Sequence, residues 1–409
     1  MRKLFSADNQ GGFWPPRRSR FWMAALAPIR WWYVKRYYQV AEIEIQGLVD
    51  LGKLLGPGDG LLIAPNHSNH ADAHVMMQVA RKAGKSCYFM ATQEAFRLNR
   101  GLDGWVLQRH GAFSVDRENM DRQAIRQAIE LLTTGQVLVV FPEGEIYHLN
   151  DRLNPLLDGV AFMALSAQRE LEKSQAEKRV WIVPTFIRYH FLDDIRPRLE
   201  SDVARLEERF LLQGRPAVPL HERIIRLGDV ALTIKEKEKL GASGEGDLAA
   251  RLAQFRNAIL KKWESLFSKN APAEASVPLR VKALRRILLE LLDNEATDPQ
   301  TRSQVHEALD DLHVVLQAFS YRGDYLAENP SLERMAETVV KFEEDAYGGL
   351  PLAKGRLRAQ VVFGEPIDLK SAIGSGKPRT QAAEVTGRLE KALQQLMEST
   401  ANSSPDSEP

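Results

Sequence analysis

Four residues within one short stretch could do chemistry together. "LLIAPNHSNHADAHVMM", residues 61–77, holds His67, His70, Asp72 and His74 directly after an apolar run. A carboxylate beside an imidazole fixes its tautomer and orientation, which leaves the other ring nitrogen to take a proton from a hydroxyl. The nucleophile would then come from the substrate. A second chemistry uses His67, His70 and His74, spaced three and four apart with Asp72 among them, as metal ligands. Helical histidine pairs that bind zinc carry a Glu beside the first His, and this chain has none there. A third reading is a polar loop with no chemistry. The stretch by itself leaves all three open.

Each chemistry makes a demand on the backbone. Residues five apart on a regular helix are separated by roughly 140° around the axis, since each residue turns ~100°. His67 and Asp72 therefore meet only if the histidine lies just before a helix or in a distorted first turn. The elements around them fit such a junction. Strands are predicted at 42–48, 60–66, 86–92, 111–117, 136–144 and 180–191, several as continuous apolar runs suited to a sheet covered on both faces. Helical patterns lie between them at about 71–83, 119–134 and 158–173. This alternation predicts an α/β fold, a mixed sheet flanked by helices, with functional residues at the strand ends.

Other strand ends carry further candidates. "RHGAFSVDREN" places Arg117 at the exit of one strand, and "VVFPEGE" places Glu143 and Gly144 at another. An Arg together with backbone amides at a Pro-Glu-Gly turn could hold a phosphate. In this order the residues resemble the glycerolipid acyltransferases related to bacterial lysophosphatidate acyltransferase. The family's N-H-x4-D box matches Asn66, His67 and Asp72. Its second box matches Gly111, Phe113, Val115, Asp116 and Arg117, and its F-P-E-G box matches Phe141, Pro142, Glu143 and Gly144. "IVPTFIRY" around Pro184, "EIEIQG" before the first box and "VVFGEPI" near the end also fit. The resemblance covers about 40–193 and 357–369.

The resemblance implies His67 as general base and Asp72 as its orienting partner. It implies Gly111, Arg117, Glu143 and Gly144 as the binding region for the acceptor, with no metal and no cofactor. The acyl donor would be acyl-CoA or acyl-carrier protein, and the acceptor a membrane lipid, 1-acyl-glycerol-3-phosphate first, with glycerol-3-phosphate or another lysolipid as the alternative. Three positions depart from the family pattern. Asn69 stands where Ser or Thr is usual, and Glu145-Ile146 follow F-P-E-G where Thr or Ser and then Arg are usual. Glu145 adds negative charge beside the phosphate region.

Composition sets the frame. The 409 residues are 44% hydrophobic and 27% charged, as in ordinary globular proteins. The net charge of +1 gives no sign of a nucleic-acid partner. The single cysteine, Cys87, cannot form an intramolecular disulfide and is read as a small buried hydrophobe in a reducing compartment. Residues 1–40 hold eight Lys or Arg against one acid, with four of the seven tryptophans, which suits a bilayer's headgroup zone. The apolar run Phe21–Ile29 is far short of the ~20 residues a spanning helix needs, and a secretory signal is not expected. Residues 13–38 are thus expected to contact a membrane surface, on its cytoplasmic face.

The chain is expected to divide into this arm (1–40), an α/β core (41–193), a helical insertion (194–356), a closing strand and helix (357–398) and a disordered tail (399–409). Helical spacing in the insertion is read at "RPRLESDVARLEERFLL", "GDLAARLAQFRNAILKKWESLF", "LRVKALRRILLELLD" and "TRSQVHEALDDLHVVLQAF".

Overall fold

The computed structural model describes residues 12–48, 56–117, 121–267, 275–349, 351, 353–372 and 378–401. These form two compact units, one comprising residues 12–193 with 355–401, the other residues 194–354.

The first unit opens with an extended segment, then α1 (Arg20–Ala25), α2 (Ala27–Tyr33) and a π turn, Val34–Tyr38, before β1 (Val40–Gln46). There follow β2 (Gly60–Pro65), α3 (Asp72–Lys82), β3 (Cys87–Thr92), α4 (Gln93–Arg97) and α5 (Leu102–Arg109). Next come β4 (Ala112–Val115), α6 (Arg122–Thr133), β5 (Val137–Val139), α7 (Gly159–Lys173) and β6 (Val180–Phe191). After the second unit, β7 (Leu357–Phe363), β8 (Ile367–Asp368) and two helices, Leu369–Ala372 and Pro378–Ala401, complete it.

The sheet is mixed α/β with the order β1-β7-β6-β2-β5-β3-β4, and β8 pairs with β6. Strands β2 to β6 are mutually parallel, while β7 and β8 run antiparallel to β6. One face packs Leu62, Leu138, Ile182 and Phe113 against α6, α7 and the C-terminal helix. The other packs Ile63, Val139, Val183 and Ile187 against α3 and the arm. Burial on both faces is why these strands read as continuous apolar runs.

Several expectations change in detail. The predicted strand 136–144 stops at Val139, because Phe141 to Gly144 leave the ladder to form a turn. The helices α4 and α5 had no expectation, since left-handed Asn99, Arg100 and Gly101 interrupt their periodicity. The arm holds two short helices and a π turn. Residues 1–11 of it lie outside the described residues, as do 402–409 of the expected tail. Residues 399–401 belong to the last turn of Pro378–Ala401, where Thr400 is buried and accepts from Arg188 Nε at 3.0 Å.

The second unit is helical: Arg196–Arg209, Leu220–Leu240, Leu248–Phe267, Val277–Asp293, Pro299–Ser320, Tyr325–Glu328 and Leu332–Tyr347. Leu220–Leu240 and Leu332–Tyr347 are helices beyond those read from spacing. The core of the unit gathers Phe255, Leu260, Trp263, Leu284, Leu288 and Leu312. Buried Lys354 bridges Asp202 at 2.6 Å and Glu343 at 2.5 Å, which closes the unit near its end. Arg356, expected in the insertion, pairs instead with Asp193 in the α/β unit, at 2.7 Å.

Candidate active site

His67 follows the end of β2 and precedes α3, whose first residue is Asp72. The histidine thus lies just outside the helix, where the 140° separation no longer applies, and its Nδ1 is 2.8 Å from Asp72 Oδ2. Asp72 is fully buried and fully engaged. Its Oδ2 also accepts from Asn69 N at 2.9 Å, and its Oδ1 accepts from the Tyr189 hydroxyl at 2.5 Å. Burial, reinforced by the charge of Asp72, holds the Tyr189 phenol well above its ordinary pKa, so it remains the donor in that contact. A carboxylate only accepts, so Nδ1 carries the imidazole proton and Nε2 is left as the basic atom. The His67 ring also stacks on Phe141, centroids 3.9 Å apart and planes 16° apart.

The backbone of His67 is fixed as firmly as its ring. Asn66 just before it is buried, and its side-chain amide copies a strand: Oδ1 accepts from Ile187 N at 2.7 Å and Nδ2 donates to Ile187 O at 3.1 Å. Glu143 Oε1 accepts from His67 N at 2.8 Å, while Oε2 accepts from Asn154 N at 3.2 Å and Asn154 Nδ2 at 3.0 Å. Burial pushes the Glu143 carboxyl up to about 7, with Asp72 adding to the effect against the amide donors. Both its oxygens are thus spent on the protein. Glu143, expected at the acceptor's phosphate, is a brace between the two loops.

Gly144, at φ +77°, closes the turn; a Cβ there would lie 2.7 Å from Leu157 Cδ1. Arg117 sits beyond β4, half-exposed, and its Nη1 is 2.6 Å from Glu145 Oε1. The residue that departs from the family pattern is therefore the partner of the expected phosphate-binding cation. Gly111 is not brought to this site. It precedes β4 whereas Arg117 follows it, and its neighbours are Cys87 O, Tyr88 and Arg18. Its φ of +90° gives it a turn role.

The three histidines of the opening stretch do not converge. His67 faces Asp72 and Phe141, His70 lies 5.3 Å from the His148 ring, and His74 lies against Tyr33 and Tyr38. Asn69 makes a local turn, its Oδ1 accepting from Ala71 N at 2.9 Å. Cys87 is buried at the start of β3, and burial pushes its thiol up to about 12. Two contributors had no expectation. Asn154 lies in an irregular loop without a spacing signal. Tyr189 sits inside "IVPTFIRYH", where its position in β6 gave only burial.

The arm is anchored to this unit. Trp14 N donates to Ser114 Oγ at 2.9 Å, Ser114 N to Trp14 O at 3.0 Å, and Gln108 Nε2 to Pro15 O at 2.7 Å. It therefore covers the open edge of β4. Among the described residues no helix is long and apolar enough to cross a membrane.

No curated protein matches the chain. Residues 42–188, from β1 through most of β6, match the family model described as Acyltransferase. That span contains the buried Asp72, the His67 it holds and the loop that braces them, so the stretch that carries the candidate site is the one similar to the acyltransferase family.

Proposed function

We propose that the protein is an O-acyltransferase that moves a fatty acyl group from acyl-CoA or acyl-carrier protein to the hydroxyl of a lysophospholipid, in phospholipid synthesis. The observation that carries the reading is the His67–Asp72 contact, with Nδ1 engaged and Nε2 left as the base. The acceptor hydroxyl gives its proton to Nε2 as its oxygen attacks the thioester carbon. The C–S bond then breaks, and the thiolate leaves with the proton from the imidazolium. A thioester is already activated, so a base and positioning suffice without a nucleophile from the protein.

The first candidate acceptor is 1-acyl-glycerol-3-phosphate, by resemblance, with Arg117 as phosphate ligand. A second reading rests on the Arg117–Glu145 pair: an acceptor whose head group is not a phosphate monoester, such as another lysolipid, leaves that pair intact. The arm brings the site to a membrane. Phe21, Trp22, Ile29 and Trp32 are exposed on α1 and α2 among basic residues, on a surface suited to anionic lipid on the cytoplasmic face.

The test is acyl transfer by purified protein from a labelled thioester to a panel of lysolipids and glycerol-3-phosphate, with products identified by mass spectrometry. His67→Ala is expected to lower turnover by ~10²–10⁴-fold with the fold retained. Unchanged turnover in that variant overturns the reading. Glu145→Gln separates the acceptors: a gain for 1-acyl-glycerol-3-phosphate alone identifies the phosphate-bearing one.

A further inference from the structure

The corner between α4 and α5 leaves two leucines in solvent. Leu98 is 48% and Leu102 60% exposed, whereas Phe96 just before them is fully buried and meets Trp14, centroids 5.9 Å apart. Between the leucines the chain turns through three left-handed residues, Asn99, Arg100 and Gly101, at φ +48°, +59° and +86°. Only the glycine adopts that conformation without steric cost. Asn99 Nδ2 donates to Asp103 Oδ2 at 2.9 Å, which ties the turn to the start of α5. α5 in turn lies flush on α4, since a Cβ on Gly104 would run into the Phe96 carbonyl. The corner is thus closely packed beneath, with its leucines outside.

Topology sets this corner at the edge that carries the chemistry. β2, β5, β3 and β4 are successive parallel neighbours, so their carboxyl ends share one edge, where His67 follows β2 and Arg117 follows β4. α4 and α5 return the chain from the carboxyl end of β3 to the start of β4. α5 therefore begins toward that edge and runs back from it by ~12 Å, the length of its two turns. The arm joins the same helix. Arg17 N donates to Gln108 O at 3.0 Å and Ser19 N to Arg109 O at 3.1 Å. Trp22 then meets Trp105 of α5, centroids 5.0 Å apart, and Phe21 meets Trp22 at 5.2 Å. Leu102 lies three residues before Trp105, on the same side of α5. Apolar surface therefore runs from Phe21 through Trp22 and Trp105 to Leu102, with Leu98 across the turn.

We infer that the α4–α5 corner is a second membrane-inserting element, with Leu98 and Leu102 entering the boundary between head groups and acyl chains of an anionic bilayer. The inference rests on the reading of the arm as membrane-contacting and extends it to a segment outside the arm. Charge selects the occupant. Residues 12–38 hold six Lys or Arg and no acid, and Arg17, Arg20, Lys35 and Arg36 among them are exposed. Exposed Arg100 stands between the two leucines, and Asp103 beside it is engaged by Asn99. Leucines at the apolar boundary with arginines at the phosphates is the depth order of an interfacial element. Insertion here sets the carboxyl edge of the sheet, with His67, against the leaflet that holds a lipid acceptor.

The experiment exploits the single cysteine. Cys87 is buried with its thiol pushed up to about 12, so a thiol-reactive fluorophore on Leu102→Cys of the full chain reports that position. Its emission is expected to shift to the blue with phosphatidylcholine vesicles containing phosphatidylglycerol, and to be quenched by nitroxide-bearing lipid. The same probe on Glu172→Cys, exposed at the far end of α7, should show neither change. In co-sedimentation, Leu98→Ser with Leu102→Ser should lower vesicle affinity roughly tenfold or more. Arg100→Gln should lower it roughly fivefold, and only where anionic lipid is present. Circular dichroism verifies the fold of each variant. A Leu102 probe that stays in water while the chain co-sediments overturns the inference and leaves the arm's contact standing. No vesicle binding by the unsubstituted chain overturns both, whereas acyl transfer to a soluble acceptor tests the His67 reading separately. A blue shift without vesicles that grows with chain concentration assigns the face to a second copy and also overturns the inference.

Discussion

At the scale of single residues, the candidate site is a chain of donors that ends on one buried carboxylate. Asp72 takes hydrogen bonds from the His67 ring, the Asn69 amide and the Tyr189 hydroxyl, so both of its oxygens are engaged. Removing the phenol tests its share. Tyr189→Phe is expected to lower kcat roughly tenfold, about 1.4 kcal/mol, with KM little changed, in steady-state acyl-transfer assays. Glu143 gives a pH signature. Its folded pKa of about 7 lies above the ordinary 4.5, so between these values the folded chain holds a proton that the unfolded chain has released. Its contribution to stability therefore falls as pH rises through that window, by up to about 3 kcal/mol. Urea unfolding below and above the window should show the fall, and Glu143→Gln should flatten it. The types of His67, Asp72 and Glu143 were legible in the chain. The inward turn of Glu143 was not, because its partner Asn154 lies in a loop with no periodic signal.

At the scale of elements, β6 organises the site more than any other strand. Its first half pairs with β2, and where β2 ends, two asparagine side chains take over the ladder. Asn66 binds the backbone of Ile187, and Asn150 that of Tyr189, at 2.7 and 2.8 Å. This sets the depth of Tyr189 beneath Asp72. Asn66→Ala leaves the N–H and C=O of Ile187 buried and unpaired, an expected loss of roughly 1–3 kcal/mol in chemical denaturation. Asn66→Asp should recover part of that, since it restores the acceptor but not the donor. Strand positions were legible to within a few residues wherever both faces were buried. The strand at 136–144 was read too long because Phe141 and Pro142 extend its apolar run, although their backbone has already turned away.

At the scale of the whole molecule, the arm has two sides. Trp14 packs against Phe96 and Phe13 against Phe113, while Phe21, Ile29 and Trp32 are 70%, 64% and 60% exposed. Trp22 meets Trp105 of α5, and Leu98 and Leu102 in the α4–α5 segment are also exposed. Replacing Phe21, Ile29 and Trp32 by Ser is expected to lower affinity for anionic vesicles roughly tenfold or more, read by co-sedimentation. Turnover of a short-chain soluble acceptor should stay near the unsubstituted value. The basic and aromatic composition of the arm was plain in the sequence. Its two sides, with Trp31 of α2 and Val34 of the π turn against the core and Ile29 and Trp32 outward, needed the helix to be placed on the core.

The sequence by itself determined the strand–helix alternation, the order of Asn66-His67, Asp72, Arg117 and Phe141–Gly144 at strand ends, and a helical insertion read at 194–356, two residues longer than the helical unit. These are local properties, carried by hydrophobic period and by residue type. Only the tertiary structure decided partners. It paired Arg117 with Glu145, carried Gly111 to the other end of β4, parted His70 and His74 from His67, and placed Tyr189 under Asp72 across 117 positions of chain. A side chain's partner depends on which strands lie side by side and on where each leaves the sheet. Spacing along the chain does not encode that adjacency; pairing of β2 with β6 creates it.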